Sequence, residues 1–332
     1  MNGGRLWLKA AGVGLLAAAV PLLIFGCKGG SNPPGDDAEW PDHPGPKVVV
    51  SFAPLYCFAA NVAGEDAVVR NVMTTTGPHD FNPTAQDVKR VTKADLFFVI
   101  GLDLDNKKAE TMRDGSGNSK LKVIELTKKF EKKHFLEGHC NHADHGPDHT
   151  HATDPHVWLS PDHAAMLVNG IRDELKTADP AHAAGYDSRA AAYVAKLATL
   201  KKDGLEMLKD KKDRRLVSFH DSLAYFEEAF QLDVRGVLTK NPGQEPDAKE
   251  MKELIEICNK KGAQVRVLAT EPQYSSSTSG ETLRKELVAK GVVDPVLVEF
   301  DPLETVRPED LTPDWYERKM RENLKALAEK MK

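Results

Sequence analysis

Eight of the chain's twelve histidines lie between His134 and His163, in the stretch HFLEGHCNHADHGPDHTHATDPHVWLSPDH. Neutral imidazole is the side chain most used to bind metal ions, so this density points to metal chemistry. The stretch divides in two. His139, His142, His145, His149 and His151 stand among Gly, Asp, Asn and Pro with no apolar period, which is the composition of a mobile loop. His156 stands in DPHVWLSP, between Pro155 and the apolar pair Val157 and Trp158, the pattern of an ordered segment re-entering a core. One imidazole is held, and five beside it are available for looser, auxiliary capture of metal.

A held imidazole needs partners. His79, in TTTGPHDFNP, and His220, after RLVSF, each follow a β-branched run and so fall on the rim of a sheet. Taken alone, such a histidine is more often a hydrogen-bonded turn residue than a ligand. Three imidazoles with one carboxylate, however, make a tetrahedral shell that zinc accepts, whereas manganese asks for more oxygen. Two acids end strands and precede prolines, Glu271 in LATEP and Asp301 in FDPLE, and either is also an ordinary turn acid. His43, His134, His163 and His182 read as surface residues. The turns contain no GxSxG, HExxH or GxxxxGK[ST], so no catalytic motif competes with a binding role.

The elements that must position these groups alternate. Strands are expected at residues 47–52, 68–73, 96–100 and 123–126, with helices at 54–62 and 84–92 and an exposed turn at 113–120. After helices at 162–177 and about 182–211, the pattern restarts: strands at 215–219, 234–238, 265–270 and 296–300, helices at 222–230, 247–260, 279–289 and 315–331. The fold class is therefore α/β, with two lobes built on parallel-type sheets and ligands outside the carboxyl ends of the strands. The apolar positions Tyr186, Ala190, Tyr193, Leu197 and Leu200 keep the helical period through a helix longer than one lobe needs. It is expected to be a rigid link, with the ligand cleft between the lobes it joins.

The expected organisation is a signal peptide at 1–26, a lipidated tether at 27–46, and an N-terminal lobe at 47–178 that carries the His-rich loop 134–155. A linking helix at 179–212 and a C-terminal lobe at 213–332 follow. Arg5 and Lys9 precede an apolar run that ends at Gly26-Cys27, the layout of a secretory signal. Without residues 1–26 the chain has 43 basic against 50 acidic residues, a balance of −7. That gives no electrostatic case for nucleic acid and suits a cationic ligand. Cys57, Cys140 and Cys258 remain, too few and too odd for a disulfide framework. Cys57 and Cys258 sit among apolar residues and read as buried packing.

These motifs, in this order, resemble the metal-specific solute-binding proteins of bacterial ABC transporters, and most of all their zinc-binding, ZnuA-like members. The resemblance is carried by GPHDFNPTAQDV around His79, DPHVWLSP around His156 and FHDSLAYFEEAFQL around His220, with PGQEPDAKEMKELI, LATEP and FDPLE in support. It covers the chain from about Lys47 to its C-terminus. It implies two αβ lobes joined by one long helix, metal in the cleft, and a role that is not enzymatic. His79, His156 and His220 would be ligands, Asp301 in FDPLE the fourth, and Glu271 a neighbour orienting a histidine or an alternative ligand. LIFGC resembles a lipobox, implying a lipid on Cys27 and a protein anchored outside the cytoplasmic membrane. The implied cargo is Zn2+, and the implied partners are a permease and its ATPase, with the protein itself monomeric. Manganese or iron transport on the same fold, an adhesin or metallochaperone role, and a secreted zinc hydrolase using Glu271 as base are the alternatives.

Overall fold

Eight short strands among the described residues form two separate four-stranded parallel sheets. The computed structural model describes Met1 and residues 39–138, 153–239, 242–274 and 276–332. The expected leader, Cys27 and the loop histidines His139, His142, His145, His149 and His151 lie outside the described residues. In the first sheet β1 (Lys47–Val50), β2 (Val68–Asn71), β3 (Leu96–Val99) and β4 (Lys122–Glu125) are ordered β2-β1-β3-β4. In the second, β5 (Arg215–Ser218), β6 (Asp233–Val237), β7 (Val267–Thr270) and β8 (Val296–Glu299) repeat that order as β6-β5-β7-β8. Each sheet has a switch point beside its first strand, where ligands collect at the carboxyl ends.

Local chemistry fixes the connecting helices. Pro54 starts α1 (Ala53–Ala63), and Gly64 ends it at φ 56°, a conformation glycine adopts without strain. Thr84 and Asp87 form a reciprocal capping box on α2 (Ala85–Arg90), as Asp247 and Glu250 do on α7 (Ala248–Cys258). Between β3 and β4 runs α3 (Asn106–Ser116), so residues 113–116 close a helix, and the turn expected at 113–120 begins only at Gly117. Ser160 caps α4 (Pro161–Ala178), and α5 (Ala183–Leu208) follows. The second lobe adds α6 (Ala224–Phe230), α8 (Ser279–Ala289) and the closing α9 (Trp315–Lys330).

The long helix does join the halves. At about 1.5 Å per residue, α5 is about 39 Å long. Its buried stripe, Tyr186, Ala190, Tyr193, Leu197, Leu200, Gly204 and Leu208, packs against α1 and α4 of the first half and α6 and α9 of the second, α4 lying alongside it from Asp187 to Lys201. One apolar core runs through both lobes, containing Phe58 and Trp158 from the first and Phe226, Phe300 and Tyr316 from the second. Trp158 stitches them directly: its Nε1 donates to Pro302 O at 2.9 Å, and its own carbonyl accepts from Tyr316 OH at 2.6 Å. A second, smaller core lies under β5 and β7, around Phe219, Leu254 and Leu268.

Two expectations are corrected by the fold and one holds. Residues 39–46 are not all free tether, because the Arg70 guanidinium lies 4.5 Å from the Trp40 ring centroid and His43 Nε2 donates to Glu65 O at 2.8 Å. His163 is not a surface residue: it is buried, its ring 4.8 Å edge-on from Tyr225, and its Nε2 donates to His134 O. Cys57 and Cys258 are buried free thiols, as their apolar surroundings suggest.

Candidate metal centre

Four side chains from four separate segments converge where the carboxyl ends of the two sheets face each other. They are His79, His156, His220 and Glu304, each offering one atom, and those four atoms all lie within 4.8 Å of one another. His156 Nε2 is 3.1 Å from His79 Nε2 and 3.3 Å from His220 Nε2. Glu304 Oε1 is 3.2 Å from His79 Nε2, 3.2 Å from His156 Nε2 and 3.3 Å from His220 Nε2. Five of the six edges of this tetrahedron are thus 3.1–3.3 Å, and the sixth, between His79 and His220, is within 4.8 Å, a cluster of the size that encloses a single four-coordinate ion.

Each imidazole is aimed by different chemistry. Asp154 precedes Pro155 and a short 3-10 turn at Val157–Leu159; its Oδ1 accepts from both the His156 amide (2.7 Å) and His156 Nδ1 (2.6 Å). His220 follows β5, and its Nδ1 donates to Glu271 Oε1 at 2.6 Å, with its amide on the same oxygen at 3.2 Å. Both Nδ1 atoms therefore carry a proton, which turns both Nε2 atoms inward as the atoms able to bind a metal. His79 has no such carboxylate among the described residues. Its loop is held from behind instead, by Lys108 of α3, whose ammonium donates to Pro78 O and, at 3.0 Å, to His79 O. Asp105 fixes the start of that helix, accepting from Ser51 Oγ (2.6 Å), the Ile100 amide (3.0 Å) and the Gly101 amide (2.9 Å).

Glu304 enters from the loop after β8. Leu303 lies in the left-handed region at φ 64°, and its amide donates to Asp301 Oδ1 at 2.9 Å. That turn sends the Glu304 side chain into the cluster and keeps the Asp301 side chain out. The expectation that Asp301 is the fourth acid is accordingly replaced by Glu304 in the geometry. The Asp301 carboxylate instead caps its own turn and lies 3.7 Å from Lys319 Nζ. Burial, together with the Glu271 and Glu304 charges, raises the Asp301 pKa to about 6 against the Leu303 hydrogen bond and Lys319. Glu271 stands behind His220, where a histidine-orienting acid was expected. Gly77 lets Glu304 approach: a Cβ there would lie 3.3 Å from Glu304 Cβ and 3.3 Å from Oε2.

Charge and burial set the electrostatics. The His156, His220 and Glu304 side chains are 2%, 1% and 1% exposed, whereas His79 is 23% exposed and forms the open side. Burial works to lower the His156 pKa, but Asp154, by charge and hydrogen bond, and Glu304 outweigh it and raise it to about 9. His220 is likewise lifted well above the ordinary range, burial being outweighed by Glu271 and Glu304. Burial pushes Glu304 up, yet the three imidazoles hold it well below the usual carboxylate range. Glu304 Oε1 is buried among the three ring nitrogens, which hydrogen-bond to it when they carry protons. A carboxylate oxygen set among three inward-turned ring nitrogens, held together by protons when no cation is bound, fits a divalent cation that takes nitrogen and oxygen donors.

A family model described as zinc-uptake complex component A, periplasmic, matches residues 48–330. The zinc-binding protein AdcA of Streptococcus pyogenes is 32% identical over 300 residues, which cover 85% of this chain and 55% of that protein. The zinc-binding lipoprotein AdcA of Streptococcus pneumoniae is 32% identical over 320 residues, 94% of this chain and 59% of that one. The chain thus spans little more than half the length of these relatives. Among solved structures, the solute-binding protein FpvC of Pseudomonas aeruginosa in complex with Mn2+ superposes with a TM-score of 0.72 at 28% identity, covering 85% of this chain and 97% of that one.

Proposed function

The chain belongs to the family of the periplasmic zinc-uptake component A, and on that premise we propose that it is the zinc-capturing component of an ABC-type importer. His79, His156, His220 and Glu304 are the ligands of the tight site in this reading. The observation that carries it is the convergence of three imidazole nitrogens and one carboxylate oxygen, five of their six spacings 3.1–3.3 Å and all within 4.8 Å, in a largely buried pocket. Three nitrogens and one oxygen favour zinc over manganese, which prefers oxygen-rich, higher-coordinate shells. The Mn2+ complex of FpvC makes manganese the competitor to test.

In this account Cys27 carries a lipid that holds the protein on the outer face of the cytoplasmic membrane. The loop histidines at 139–151 concentrate zinc weakly and pass it to the tight site. A permease, driven by its ATPase, receives it. The reading assigns no catalysis, because each of the four inward-facing donors is committed to the ion and Glu271 is occupied by His220. Metal titration of the protein tests the assignment. His156→Ala abolishes the tight equivalent, whereas deleting residues 139–151 removes only weaker ones. Loss of the tight equivalent on loop deletion would overturn this division of roles.

A further inference from the structure

Gln273 touches none of the inward-facing atoms of the cluster, yet it holds the back of both its acids. It sits in the short 3-10 turn Pro272–Tyr274 directly after β7. Its Nε2 lies 3.1 Å from Glu271 Oε2 and 3.0 Å from Glu304 Oε2. The amide must face them with its nitrogen, since the reverse orientation would set a carbonyl oxygen against two carboxylates. Its own oxygen is buried without a hydrogen-bond partner, so the amide is held by these two contacts alone. Both acids are thereby divided into an inner and an outer oxygen. Glu271 Oε1 takes the His220 ring, and Glu304 Oε1 faces the three imidazoles.

Resting on the zinc reading above, we propose that Gln273 is a positioning residue that keeps Glu304 monodentate and so biases the site toward zinc. With Oε2 hydrogen-bonded to Gln273 and backed by Gly77, only Oε1 is free to meet a metal, giving four donors and a tetrahedron. If Oε2 were released, a rotation of the carboxylate would bring a second oxygen to the ion. Five donors with two oxygens suit manganese better and forfeit part of the advantage of zinc. The same amide ties the acid behind His220 to the acid at the centre, so the two carboxylates move together.

The test compares the full chain with Gln273→Met, which keeps the length and removes the donor, and Gln273→Glu, which adds a third carboxylate to the pair. Zn2+ and Mn2+ affinities are measured by competition, and Co2+ is used as a spectroscopic probe. In both variants zinc affinity falls by about 10-fold, within the range for groups that orient ligands, and the Zn2+/Mn2+ preference narrows by at least that factor. The visible bands of bound Co2+ lose the intensity of a four-coordinate ion. Folded variants whose Co2+ spectrum and Zn2+/Mn2+ ratio match wild type would overturn this inference alone. A wild-type protein with no tetrahedral Co2+ spectrum would instead overturn the zinc reading, and the inference with it.

Discussion

Replacing the two acids of the FDPLE segment one at a time separates a ligand from the residue that shapes its turn. Glu304→Gln keeps the size of the side chain and removes its charge. Glu304 Oε1 stands 3.2–3.3 Å from all three Nε2 atoms and is the one anionic atom facing them in the cluster. Groups that merely orient a ligand cost about 10–100-fold in metal affinity when changed. Removing the anionic donor itself should exceed that, so zinc affinity should fall by more than about 100-fold, or about 2.7 kcal/mol. Asp301→Asn keeps the oxygen that accepts from the Leu303 amide at 2.9 Å and loses only a charge 3.7 Å from Lys319 Nζ. Its zinc affinity should stay within about threefold of wild type, because a charge at that distance and partial exposure contributes at most about 1 kcal/mol. The assay is competition against a chromophoric chelator, on protein lacking residues 139–151 so that one site is read. A larger loss for Asp301→Asn than for Glu304→Gln would refute the reasoning about the Leu303 turn.

The pH dependence has a definite sign. Without metal, His156 keeps its second proton up to about pH 9 and His220 is raised in the same direction. Zinc binds the neutral ring, so binding near pH 7.5 releases at least one proton and affinity falls as pH falls, by about one decade per pH unit per proton. Glu304, ionised with or without metal, adds none. Calorimetry in buffers of different ionisation enthalpy checks this, and a binding heat independent of buffer would contradict it. Lys108→Met removes the ammonium that holds the carbonyls of Pro78 and His79. It should cost about 1–2 kcal/mol of stability and speed zinc release severalfold in stopped-flow chelation; unchanged release would mean that the His79 loop holds itself. Glu271→Gln leaves the ring of His220 without its carboxylate and should weaken zinc by about 10–100-fold, read in the same competition assay.

Much of the architecture was legible because the strands are short β-branched runs, such as KVVV and LFFV, and the helices between them carry readable caps. The exception, α3, buries only Ala109 and Met112 in an otherwise polar segment, too narrow a stripe to show a helical period. That omission hid Lys108, which reaches the His79 loop from a helix whose start is held by Asp105 at the carboxyl ends of β1 and β3. The three histidines stand after strands or between rigid neighbours, which made them candidates, but placement alone left His79 and His220 readable as turn residues, and only the order of the surrounding motifs singled out the three together. Glu304 was not legible, because the choice between it and Asp301 turns on a left-handed Leu303, and leucine gives no sign of adopting that conformation. Gln273 could not be found either: its two partners come from the segments after β7 and β8 and meet only in the folded chain.

X-ray absorption at the zinc edge, on protein loaded with less than one equivalent so that the tight site fills first, tests the central claim most directly. The account predicts four nitrogen or oxygen donors at about 2.0 Å, with outer-shell scattering from three imidazole rings. A shell containing sulfur, a six-coordinate oxygen-rich shell, or a signal from fewer than three rings would contradict it.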